Sequence, residues 1–250
     1  MQRGLTEKAW DDYARLMADP RLLLDRFDEA GVERACLINY VAPETMGFDA
    51  TSNEWVSKYC REAPDRLIAT GSVHPRHTDD PAGETSRLIE ALGIRMIKIH
   101  PPHQLFAEVY HVASEARVPV MFHTGTSIFP GARNRFADPM AVDDVAVDFP
   151  QLVLILAHAG RPLWVETAMF LARRHRNVYL DLSGIPPRKL LEYLPRLAEI
   201  ADRCLWGTDW PSPGVVSMKS NLDEFLGIPL SDEVRTKILW TNSAEVFRCT

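Results

Sequence analysis

Short apolar, β-branched runs recur along the chain, each closing on polar residues and each followed by a helix-like stretch. The runs cover residues 34–39 (RACLIN), 67–73, 94–99, 118–122, 152–157, 178–182 and 203–206. Between them, residues 51–62, 85–92, 105–116, 143–149, 164–175 and 189–201 read as helices. Strands that are apolar at nearly every position are covered on both faces, and their alternation with helices predicts a parallel sheet. Gly31-Val32 and Gly93-Ile94 fit helix C-caps that feed the next strand. Seven βα units fill the 250 residues. An open doubly wound sheet holds that number, whereas a (β/α)8 barrel of about 250 residues takes eight strands. The N-terminal residues do not supply the eighth, because Leu5, Ala9, Trp10, Tyr13, Leu16 and Met17 recur at helical spacing.

Composition narrows the function classes. The longest purely apolar run, 152–157, is far short of the roughly 20 residues of a bilayer helix, and residues 1–10 carry no apolar signal core. With 28 Lys plus Arg against 34 Asp plus Glu, the net charge is −6, which argues against nucleic acid or an anionic membrane as the partner. A small anion held by a local basic cluster is compatible with it, and so is a homo-oligomer. Cys36, Cys60, Cys204 and Cys249 form no CxxC pair; they read as reduced thiols of a cytoplasmic protein and argue against cysteine-ligated zinc. No GxGxxG follows any strand, which argues against a nicotinamide or flavin enzyme.

The histidines carry the strongest chemical signal. Of eight, four (His74, His100, His123 and His158) stand at the end of an expected strand or just past it. Strand C-termini of parallel α/β folds share one rim, and that rim carries the active site. A core imidazole bonded to backbone explains any one of the four more easily than all of them. His123, in MFHTG, is a candidate metal ligand; Asp209, in WGTDWP, offers a carboxylate oxygen or else caps a turn. His158, in LAHAG, is a second ligand or an acid/base group. Lys98 and His100, two apart in KIHPP, point to one side of their strand. A lysine facing a barrel interior is costly unless it meets an anion, which suggests a substrate carboxylate. The loop 124–139 exceeds the usual 2–6 residues; its Arg133 and Arg135 suit either a lid over an acidic substrate or a solvated surface. Arg161, directly after LAHAG, is a further anion-binding candidate.

In order, DEAGVERACLINY, KIHPP, VPVMFHTG, VLILAHAG and WGTDWP resemble the amidohydrolase-related (amidohydrolase 2) family over about residues 25–247. The resemblance implies a distorted TIM barrel, here lacking its first strand: one α/β domain over 1–250, opened by a helical segment, 1–24. It also implies one divalent metal, usually zinc, with His123 as ligand and Asp209 as both ligand and proton acceptor for the metal-bound water. His158 would orient or protonate beside the metal, and Lys98 and His100 match a KxHP pattern of one branch. The activity implied is metal-dependent hydrolysis of a small carboxylated or cyclic substrate. Non-oxidative decarboxylation is the alternative within the family, and a metal-free barrel that binds a small acid or a partner protein is the alternative outside it. The family's first strand ends in His-x-His, and no such pair occurs in this sequence. The missing pair and the missing strand coincide, so both are expected upstream of Met1; the alternative is a genuine loss, leaving an open barrel that binds metal poorly or not at all.

Overall fold

The computed structural model describes residues 7–74, 76–99, 107–129, 132–212 and 214–248. All seven apolar runs form strands: β1 (Ala35–Leu37), β2 (Leu67–Ser72), β3 (Met96–Ile99), β4 (Val120–His123), β5 (Leu154–Ala157), β6 (Val178–Asp181) and β7 (Cys204–Leu205). They pair in parallel and in chain order, with β1 and β7 at the two ends. This is the expected barrel short of one strand; among the described residues no strand joins β7 back to β1.

The helices are α1 (Glu7–Ala18), α2 (Pro20–Ala30), α3 (Pro43–Met46), α4 (Thr51–Arg61), α5 (Pro81–Glu90), α6 (Ala107–Glu115), α7 (Ala141–Asp148), α8 (Val165–Arg174), α9 (Leu190–Tyr193), α10 (Met218–Leu226), α11 (Asp232–Thr236) and α12 (Asn242–Phe247). Asp19 and Asp80 cap α2 and α5 by accepting backbone N–H bonds, each with proline at the next position. The single helix expected at 189–201 does not form. Leu194, which precedes Pro195, leaves the helical region at φ −124°, ψ 69°, because a proline ring clashes with a helical residue before it. The segment becomes the short α9 and a 3₁₀ stretch, Leu197–Arg203.

Strand alternation sorts the core into two layers. Leu67, Ala69, Ile97, Ile99, Val120, Phe122, Leu154, Leu156, Val178 and Leu180 pack outward under the helices. Ile68, Met96, Met121, Ile155, Tyr179 and Leu205 form a separate inner cluster with Val246 and Phe247 of α12. The Arg95 guanidinium donates to the Phe247 carbonyl, fixing that helix end. The barrel therefore has an apolar floor. Two residues further along β3, β4 and β6 come Lys98, His123 and Asp181, buried one layer above it.

Among the described residues, no helix is long and apolar enough to cross a membrane. Phe247→Ala removes a floor side chain with no neighbour to replace it. We expect a loss of about 3 kcal/mol, read as a lower urea midpoint at unchanged slope; a loss below about 1 kcal/mol would contradict the floor assignment.

Candidate active site

The inner-face layer above the floor gathers opposite charges. Lys98 is 1% exposed, with its ammonium nitrogen 5.8 Å from the centre of the Tyr40 ring. Burial pushes the Lys98 pKa down to about 8, against the pull of Asp181 and Asp209. Burial likewise raises the Asp181 carboxyl, opposed by the Ser183 hydroxyl and Lys98. It also raises Asp209, opposed by Ser212, Lys98 and Arg161. The Tyr40 phenol is held well above its ordinary value by burial and by the charges of Asp209 and Asp181. Two cations and two carboxylates thus share one desolvated mouth.

His158 and Asp209 enter it on strained backbone, at φ 66° and 60°. A non-glycine residue takes that conformation only where its surroundings fix it. For His158 the surroundings are explicit. Its N–H donates to Asp181 Oδ2 at 3.3 Å, and its Nδ1 lies 3.1 Å from the Ser183 carbonyl and 3.0 Å from Ser183 Oγ. A carbonyl can only accept, so Nδ1 carries the proton and Nε2 the lone pair. Ser183 Oγ in turn donates to Asp181 Oδ2. The His123 ring stands edge-on to His158, with centroids 5.1 Å apart.

Arg161 is held from two sides, donating to the Gly184 carbonyl at 2.6 Å and the Thr126 carbonyl at 3.2 Å. Gly184 sits at φ +68°, where a Cβ would lie 2.5 Å from Arg161 Nη2. A side chain there would push the guanidinium out. From α1, Tyr13 stacks 5.9 Å from Trp210, and its phenol is raised by burial and by Asp209.

The structure therefore brings together Lys98, His123, His158, Arg161 and Asp209. Arg133 and Arg135 are solvent-exposed, Arg135 lying over the Phe136 ring, and are not drawn into the buried group. His100 lies outside the described residues. His74 is buried but turns to a different group, Glu44 and His77. Three participants escaped the sequence reading: Tyr40, Asp181 and Ser183. Asp181 was within reach of it, because it follows Tyr179 by two on a strand whose inner face was predictable.

Matching the sequence to family models identifies the amidohydrolase family over residues 7–249. The chain belongs to that family. No curated protein matches it. Among solved structures, 2,6-dihydroxybenzoate decarboxylase from Rhizobium superposes with a TM-score of 0.75 at 18% identity, covering 98% of this chain and 93% of the other. The 5-carboxyvanillate decarboxylase of Novosphingobium aromaticivorans, complexed with manganese and 4-hydroxy-3-methoxy-5-nitrobenzoic acid, gives 0.71 at 19% identity, covering 98% and 85%. A probable 2-pyrone-4,6-dicarboxylic acid hydrolase from Acinetobacter baumannii, with citric acid bound, gives 0.68 at 16% identity, covering 92% and 89%. These likenesses establish the shared fold of this amidohydrolase.

Two sets of side chains in this amidohydrolase offer donors for a divalent ion. His123, His158 and Asp209 supply two imidazoles and a carboxylate, the donor types and number of a catalytic zinc-type site. The proton on His158 Nδ1 turns its coordinating lone pair to Nε2, as a ligand histidine requires. Their donor types suit such an ion, while their three donor atoms do not all lie within 4.8 Å of one another. Among the described residues, the one trio with all donor atoms within 4.8 Å of one another is a different set, Glu44, His74 and His77.

Two outcomes follow from the buried charges. In the wild type, Lys98 titrates near 8 when folded and near 10.5 when unfolded. The unfolded chain binds more protons between those values, so stability rises with pH across that window relative to Lys98→Met. Urea titrations at pH 7, 9 and 10.5 test this; parallel curves for the two proteins would contradict it. Gly184→Ala forces a Cβ into left-handed backbone beside Arg161, and we expect it to cost about 1–2 kcal/mol.

Proposed function

We propose that this amidohydrolase is a metal-dependent hydrolase of a small carboxylated or cyclic substrate, working at the strand-end rim in the cytoplasm. The observation that carries the reading is the set of two cations, two carboxylates and two imidazoles at the strand ends, with Lys98, Asp181, His123 and His158 buried and Arg161 and Asp209 half-buried. The free thiols of Cys60 and Cys204 suit a reducing compartment.

Lys98 and Arg161 bind the substrate carboxylate. Both lie in a low-dielectric site, where a charge-assisted contact is strong and an uncharged analogue leaves the cations unmatched. Asp209, with its carboxyl raised by burial, accepts the proton of the attacking water. A carboxylate with a raised pKa is a better base near neutral pH than an exposed one. His158 takes a proton at Nε2 and delivers it to the leaving group. The imidazolium formed in between is stabilised by Asp181 through Ser183. His123 and Asp209 would hold the divalent metal, zinc in our reading, which when bound polarises the substrate carbonyl and lowers the pKa of water.

Non-oxidative decarboxylation is the second reading, and the cation pair supports it: Lys98 and Arg161 hold a carboxylate while Asp209 or His158 protonates the carbon that loses CO₂. Two of the structurally similar proteins are decarboxylases by name. Assays of CO₂ release against lactone and ester hydrolysis, on a panel of small aromatic and cyclic acids, separate the two readings. In either case Asp209→Asn removes the proton acceptor while keeping the shape, and turnover is expected to fall at least 100-fold, about 2.7 kcal/mol. Turnover within about threefold of wild type, about 0.65 kcal/mol, would exclude Asp209 from proton transfer.

A further inference from the structure

The loops after β1 and β2 carry a second cluster, which shares no residue with the strand-end group. His74 and His77, in the sequence His-Pro-Arg-His, are three apart in a turn closed by the His77 N–H to the His74 carbonyl at 3.2 Å. Their rings stand 4.6 Å apart. Glu44 reaches them from α3, with Oε1 3.0 Å from His77 Nε2 and Oε2 3.5 Å from His74 Nε2. We propose that Glu44, His74 and His77 form a divalent transition-metal site that clamps the loop after β1 to the loop after β2.

The geometry is that of a site about to close. Metal–donor bonds of roughly 2.0–2.2 Å hold tetrahedral donors roughly 3.3–3.6 Å apart; of the two Glu44 distances, 3.5 Å falls inside that range and 3.0 Å just below it. All three donors lie within 4.8 Å of one another. His74 provides a fixed point, since its side chain is 9% exposed and its N–H donates to Thr78 Oγ1. His77 and Glu44, at 45% and 44%, are free to shift the remaining distance. Two imidazoles and one carboxylate select zinc, cobalt or manganese over calcium or magnesium, which prefer all-oxygen shells.

Two competitors act at the same place. The Arg76 guanidinium lies 3.7 Å from Glu44 Oε1 but is 79% exposed, so it can swing into solvent. The Arg76 N–H donates to His74 Nδ1 at 3.2 Å, which keeps the His74 proton on Nε2, facing Glu44. An incoming ion takes the Nε2 lone pair, the ring proton passes to Nδ1, and the turn gives up that one backbone contact. Because both imidazoles must be uncharged to hold the ion, protonating them in acid weakens binding. The clamp would act on the strand-end site as well, because the loop it ties down includes Tyr40, the residue whose ring lies beside Lys98.

The test is equilibrium dialysis of the full chain against Zn²⁺ at pH 7.5, with bound metal counted by mass spectrometry. His77→Ala and Glu44→Gln alter exposed side chains, so both variants fold, which thermal unfolding without metal verifies. Each is expected to lose one zinc equivalent, or to bind it at least tenfold more weakly, while Asp209→Asn retains that equivalent. Hydrogen exchange supplies a second readout: Zn²⁺ should slow exchange in residues 41–50 and 76–80 of the wild type and not of His77→Ala. Wild-type zinc content and affinity in both His77→Ala and Glu44→Gln would overturn the site. So would loss of the equivalent in Asp209→Asn alone, or exchange in both loops that ignores zinc.

Discussion

A lysine ammonium buried inside a parallel sheet is the constraint on which the rest of this structure depends. Lys98 has lost its water, and a charge in that position persists only with anions beside it. Asp181 and Asp209 supply them, from the ends of β6 and of the loop after β7. Those carboxylates are desolvated in their turn, and Arg161, the Ser183 hydroxyl and the loop amides offset that cost. Each polar group at the rim therefore has a reason to stand where it does, and removing any one leaves a neighbour exposed to the low dielectric.

The apolar floor makes this arrangement consequential. Inner-face residues of β2 to β7 and the end of α12 form an apolar floor below the charged layer, so a ligand arriving from the rim meets fixed charges over an apolar base. Fields in such a place act at short range with little screening. Backbone geometry supports the same end. The left-handed turns at His158 and Asp209, and the glycine at 184, bring side chains and main chain closer than an ordinary loop would.

Much of this was legible in the sequence. Seven apolar runs mapped onto seven strands, because residues buried on both faces leave an unbroken signature. The eighth strand, absent among the described residues, was visible as a shortfall in the count. Lys98, His123, His158, Arg161 and Asp209 could be picked out because strand ends converge in any parallel α/β fold. What stayed hidden depended on distance across the chain. Ser183 matters through a hydrogen bond to a residue 25 positions away, and Glu44 through imidazoles about 30 positions downstream; no local pattern records either. The helix over 189–201 failed for a local reason, since Pro195 outweighed the apolar spacing around it. Arg133 and Arg135 shared a loop with the site but not its interior, and only packing distinguishes those cases.

In the proposed function, buried Lys98 and half-buried Arg161 together bind a carboxylate. Titration calorimetry with benzoate and with its neutral isostere benzamide, at pH 7 and pH 10, tests it most directly. Benzoate is expected to bind at least tenfold more tightly than benzamide at pH 7, and the advantage to shrink at pH 10, once Lys98, with its pKa of about 8, has lost its proton. Equal affinity for the two compounds, or a benzoate affinity indifferent to pH over that range, would contradict it.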